Sequence, residues 1–109
     1  MTQDDLCFTS AVDLAALIRN KDNSPVEVTA AFLSRIEQIN AQLVAYVTVT
    51  ADLALQTAKK AAAAVMTGVP LGLLHGVPFS VKDLIWTKDV RTTAGSPVYR
   101  DFVPHVDSI

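Results

Sequence analysis

Between Gly68 and Pro78 the chain cannot remain helical, because Gly68, Pro70, Gly72, Gly76 and Pro78 interrupt it at short intervals. Proline removes a backbone donor and clashes with the preceding turn, and glycine loses the most backbone freedom when held in a helix. This punctuation separates an N-terminal stretch with helical periodicity from a C-terminal stretch without it. The predicted fold class is therefore α/β, with a helical region over about residues 10–67 followed by a strand and loop over about 70–109. A length of 109 residues fits one domain.

Three helices are predicted in the first part. Ser10 caps one, with Asp13 three residues later, and Leu14, Leu17 and Ile18 form its apolar face before Asn20–Asn23 close it. Ser24-Pro25-Val26-Glu27 is a stronger start signal: serine caps, proline takes the first helical position and glutamate the third. Phe32, Leu33, Ile36 and Ile39 then recur at helical spacing, with a stop expected near Asn40. Leu43–Val49 reads LVAYVTV, and its β-branched and aromatic residues predict a short strand. Thr50 caps a third, alanine-rich helix that runs to about Ala64 and stops at Gly68.

Composition narrows the functional classes. Half of the residues are hydrophobic and 18% are charged, which is rich for a chain this short, because small domains hide less of their apolar surface. Either some of that surface packs against something outside these residues, or the alanines raise the hydropathy without deep burial. Nine basic and eleven acidic residues give a net charge of -2, and the basic ones are scattered. That pattern argues against a nucleic-acid partner. The single cysteine, Cys7, suits a reducing compartment. Met1–Asp5 is polar and acidic, unlike a secretory signal, and no apolar run is long enough to cross a bilayer. A soluble cytoplasmic protein is expected. No residues show zinc-ligand spacing and no glycine-rich phosphate loop occurs, so neither metal nor cofactor is expected.

The second part carries the chemistry. Val77–Ile85 is predicted to be a strand, with Val77, Phe79 and Val81 on one face and Ser80 and Lys82 on the other. A lysine in so apolar a run has two readings. It is either an exposed strand lysine with Asp83 as an exposed neighbour, or a desolvated amine that accepts protons near neutral pH. From Trp86 to Pro104 loop-forming residues dominate, including Thr92, Thr93, Gly95, Ser96 and Pro97.

Leu74-His75-Gly76-Val77-Pro78-Phe79-Ser80-Val81-Lys82-Asp83, followed by Thr92-Thr93-Ala94-Gly95-Ser96, resembles the amidase-signature family. The helix opening at Ser24–Val28, Asn40 leading to Tyr46–Val49, and Arg100–Pro104 fit the same pattern in the same order. The resemblance covers the chain from about Phe8 onward. It implies the N-terminal helices and first strands of a mixed sheet, incomplete within these residues. It also implies amide hydrolysis or transfer through a serine nucleophile, a second serine in a cis peptide, and a lysine. Lys82 matches the family lysine. Thr93, Gly95 and Ser96 are then expected at the active-site wall, as loop structure first and substrate contact second.

The departure from the family is equally specific. Its two serines lie in a glycine- and serine-rich segment, and the serines at 10, 24, 34, 80, 96 and 108 all lack that context. Ser80 shares a face with Lys82, and a small residue leaving room beside the lysine is its expected role. His75 and His105 form no triad or metal site. Asp83 is either a hydrogen-bond acceptor for the neighbouring loop or an exposed strand-end acid. The resemblance leaves open a hydrolase or the amidase subunit of a tRNA-dependent amidotransferase. A non-catalytic oligomerising module is the third reading. Expected partners are the remainder of an amidase chain, a small amide substrate and further copies of the chain itself, without direct nucleic-acid or membrane binding.

Overall fold

Helix-start chemistry decides most of what the chain does locally. The computed structural model describes Met1–Ile109 and contains four α-helices and one 3-10 turn. The helices are α1 (Gln3–Cys7), α2 (Ala11–Arg19), α3 (Pro25–Leu43) and α4 (Ala51–Thr67). The 3-10 turn spans Pro97–Tyr99. The chain divides into two compact units, Met1–Tyr46 with Ala51–Pro78, and Val47–Thr50 with Phe79–Ile109.

In the first unit, Ser10 caps α2 by accepting from the Asp13 amide, as expected. Ser24 and Glu27 close a full capping box on α3, with Pro25 in its first turn. The end of α2 is a Schellman motif without glycine. Lys21, at φ 63°, donates from its amide to the Ile18 carbonyl, and the Asp22 amide donates to Leu17. The Gly68 stop after α4 has the left-handed backbone that a helix end favours, at φ +74°. One helix departs from the expected set. Thr2 and Asp5 form a reciprocal capping box that starts α1, within the polar N-terminal segment.

The apolar stripes meet in a core of Leu6, Leu14, Ile18, Val28, Ala31 and Val65, with Leu71 and Val77 packed against it. Helix α3 packs against both α1 and α4. Gly76 fits where other residues would not. Its φ is +81°, and an added Cβ would lie 2.8 Å from the Pro25 ring and 3.3 Å from Ile18.

Neither expected strand forms, and no strand occurs among the 109 residues. At Leu43–Val49, α3 continues through Leu43, and Val44 then turns back with φ 49°. The Asn40 side chain donates to the Tyr46 carbonyl at 3.0 Å and accepts from the Tyr46 amide at 2.9 Å. Asn40 thus satisfies the two backbone groups that a neighbouring strand would have satisfied. The expected strand at Val77–Ile85 is split between the units after Pro78. Turn bonds mark both of its ends, from the Val77 amide to Leu74 and from the Ile85 amide to Lys82. A strand needs a neighbour for its backbone groups, and no segment of these residues supplies one.

The second unit closes by widely spaced cross-links. Backbone bonds join Ser108 to Trp86, Asp89 to Pro104 and Thr92 to Phe102, each at 2.9 Å, so residues 86–92 and 102–108 run in opposite directions. Phe102 packs tilted against Trp86 at 5.3 Å and edge-on with Tyr99 at 5.8 Å between ring centres. Arg91 Nε donates to the Arg100 carbonyl, and Arg91 Nη1 reaches Thr48 Oγ1 at 3.4 Å. The stretch expected to consist of loop formers is therefore irregular but internally bonded.

Candidate active site around Lys82 and Asp83

Lys82 lies at the start of a turn in the second unit, its carbonyl accepting from the Ile85 amide at 2.9 Å. Its side chain is exposed rather than held in a buried sheet. Of the two settings open for Lys82, these residues show the exposed one, though without a strand: nothing in them covers the amine. Ser80 is also exposed. Among these 109 residues one ion pair forms, between Arg35 and Asp4 at 3.9 Å, and Lys82 is not part of it.

Asp83 is spent elsewhere. Its Oδ1 accepts from the Thr93 amide at 2.8 Å, its Oδ2 accepts from the Thr93 hydroxyl, and its carbonyl accepts from the Ala94 amide at 2.7 Å. The Thr93 hydroxyl in turn accepts from the Gly95 amide at 3.2 Å. Of the two readings open for Asp83, the structure selects the loop acceptor. The Thr93 hydroxyl and then its amide hold the Asp83 carboxyl below its ordinary range, with smaller help from the Gly95 amide and Arg91.

Thr93, Gly95 and Ser96 occupy one tight turn. Thr92 and Thr93 are buried, and the Ser96 amide donates to the Thr93 carbonyl at 3.0 Å. Ala94 at φ 52° and Gly95 at φ +67° both have left-handed backbone, which reverses the chain there. Ser96 caps the 3-10 turn through Val98, a structural use of its hydroxyl. The structure thus brings Asp83, Thr93 and Gly95 together beside the Lys82 backbone, and it brings no serine hydroxyl into that cluster.

The other polar candidates serve the first unit. His75 Nε2 lies 2.8 Å from the Ala61 carbonyl, tying the glycine-punctuated segment to α4. The Cys7 thiol donates to the Ala31 carbonyl at 3.5 Å, and burial pushes its pKa up, away from thiolate reactivity. Arg91 is an organising residue that the sequence does not single out, and Asn40 enters the sequence reading only as a helix stop and part of the family pattern, not as a tie to Tyr46. Their partners are backbone and side-chain groups six to forty-three positions away, which no local pattern reveals. No helix is long and apolar enough to cross a membrane.

Comparison with known proteins bears on the same residues. The amidase family model matches residues 27–109. A Mycobacterium tuberculosis (strain H37Rv) protein named "Putative amidase AmiD" is 39% identical over 108 residues, covering 99% of this chain and 23% of the relative. A glutamyl-tRNA(Gln) amidotransferase subunit from Salinispora tropica is 42% identical over 104 residues, covering 95% of this chain and 21% of the relative. Its counterpart from Bdellovibrio bacteriovorus is 39% identical over the same length. The chain therefore spans 21–23% of the length of these curated relatives. The matched region contains Lys82, Asp83 and the Thr93–Ser96 turn, and with it the chain belongs to the amidase family.

Proposed function

We propose that this chain is the lysine-bearing part of an amidase that hydrolyses carboxylic amides through a Ser-cisSer-Lys triad, with Lys82 as the proton acceptor. The observation that carries the reading is the family match over residues 27–109, which includes the Val81-Lys82-Asp83 segment. The nucleophilic and bridging serines, and the cover that desolvates Lys82, are supplied by sequence outside these 109 residues. The remainder of such a chain and a small amide substrate are its partners in a cytoplasmic protein.

The 109-residue chain alone is expected to hydrolyse no amide, because a lysine without its serines cannot form an acyl-enzyme. Grafting it in place of the matched 108-residue stretch of the Mycobacterium tuberculosis relative tests its role. The graft is expected to turn over simple carboxylic amides, and Lys82→Ala to lower its rate about 10²–10⁴-fold. Near-normal turnover by that variant sinks the assignment.

The amidotransferase relatives support a second reading, in which the ammonia released feeds a ligase reaction. Co-purifying partner subunits would favour that reading, and activity of a lone chain on simple amides favours the hydrolase. A third reading, a non-catalytic oligomerising module, draws on exposed apolar side chains such as Phe79, 87% exposed, and Val98, 85% exposed. Lys82-dependent turnover by the graft rejects it.

A further inference from the structure

Asp83 is the covalent neighbour of Lys82, yet its carboxylate makes no ion pair with the amine. Both of its side-chain oxygens are taken by one residue, Thr93, through the amide and the hydroxyl. Its carbonyl takes a third bond from the Ala94 amide, and Thr93 passes the chain of bonds on to the Gly95 amide. With Thr93 donating to both oxygens, an ionised carboxylate fits the arrangement best, because it accepts at each oxygen and has no O–H of its own to place. The Thr93 donor is buried, which limits water's competition on its side of the clasp, while the Asp83 carboxylate stays partly exposed.

We propose that Asp83 is the positioning residue for Lys82: its carboxylate clasps Thr93, fixing the Lys82–Asp83 backbone against the Thr93–Ser96 turn. This rests on the reading of Lys82 as the amidase base. The clasp anchors the peptide next to the base at three points, which limits how far the amine can wander from a reacting group. Arg91, the other charged group acting on Asp83, favours the same ionised clasp.

The test uses the grafted enzyme with Lys82→Ala, Asp83→Ala, Thr93→Val, Thr93→Ser and the Asp83→Ala/Thr93→Val double variant. Asp83→Ala and Thr93→Val are each expected to lower kcat about tenfold to a hundredfold, with KM within about twofold of the parent. The double variant should be no worse than the poorer single one, because both break one clasp. Thr93→Ser keeps the hydroxyl and the amide and should restore most of kcat.

Unchanged kcat in Asp83→Ala, or multiplied losses in the double variant, overturns the positioning role. If Lys82→Ala retains turnover, the base reading falls and takes this proposal with it. If Lys82→Ala is inactive while Asp83→Ala is normal, only this proposal falls. Amide hydrogen exchange in the 109-residue chain needs no turnover. Asp83→Ala should speed exchange at the Thr93 amide at least about tenfold, and unaltered protection would overturn the clasp itself.

Discussion

The two units hold their backbones by different means. In the first, each helical amide finds its partner about one turn away, so capping residues settle the ends and an apolar stripe settles the packing. Leu14, Ile18 and Val28 are each almost wholly buried there. In the second, the buried side chains are Thr92, Thr93 and Pro104, and closure depends on side chains that bond to backbone. Asp83 serves Thr93, Ser108 Oγ accepts from the Trp86 amide, Asp107 accepts from the Lys88 amide, and Arg91 donates to Arg100. Apolar packing gives stability that hardly depends on pH. A polar clasp gives defined geometry that depends on ionisation. The lysine and its neighbouring turn lie in the unit built the second way.

The sharpest attempt to break this contrast is made in the core. Ile18→Ala removes a fully buried side chain from the cluster of Leu6, Leu14, Val28 and Val65, and should cost the first unit about 2–5 kcal/mol. Urea denaturation followed by helical circular dichroism measures it. A loss below about 1 kcal/mol would mean that the helices, like the second unit, rest mainly on their polar contacts.

A smaller effect sharpens the same contrast at a helix end. Ser24→Ala removes the acceptor for the Glu27 amide at 3.0 Å and half of a capping box, at a cost of about 1 kcal/mol. For a unit of this size the thermal midpoint should fall by about 4–8 °C. A midpoint unchanged by the substitution would show that packing alone fixes the start of α3.

What is legible in the sequence follows the same division. The starts of α2 and α3 and the Gly68 stop can be placed because their signals sit within a turn of the groups they satisfy. The expected end of α3 is Asn40, but the helix runs to Leu43, because Asn40 bonds to Tyr46 from inside the helix. Helix α1 escapes pattern reading because five residues carry too short an apolar period to register, although Thr2 and Asp5 spell its cap. The two expected strands fail for one reason: β-propensity describes how a residue fits a sheet, and a sheet is not a local property. Lys82 can be singled out as a residue type in a motif. Its exposure cannot, since burial depends on what covers it. The Asp83–Thr93 pairing spans ten positions and is one of two open readings, chosen only by geometry.

The last test compares two aspartate–threonine pairs, one in each unit. Asp5 accepts from the Thr2 amide at 2.9 Å at the start of α1, and Asp83 accepts from the Thr93 amide and hydroxyl in the second unit. Both carboxyls lie below their ordinary pKa, Asp5 through the Thr2 amide and then its hydroxyl, Asp83 through the Thr93 hydroxyl and then its amide. A depressed folded-state pKa stabilises above the ordinary carboxyl range and loses that contribution as pH falls through the folded value. Both clasps should therefore be intact at neutral pH and open in acid below the usual aspartate range. The consequences differ. At α1 the amide–carboxylate bond of the box is lost, while Thr2 Oγ1 still accepts from the Asp5 amide at 3.2 Å. In the second unit the turn loses its bidentate acceptor, leaving the Asp83 carbonyl bond to Ala94 as the remaining link to that residue. Following amide shifts by NMR during acid titration, Thr93 and Gly95 should move together with the Asp83 carboxyl, whereas Ile18 and Ala31 amides in the apolar core should barely respond. Titration of the core amides with the same midpoint would erase the distinction between the two units.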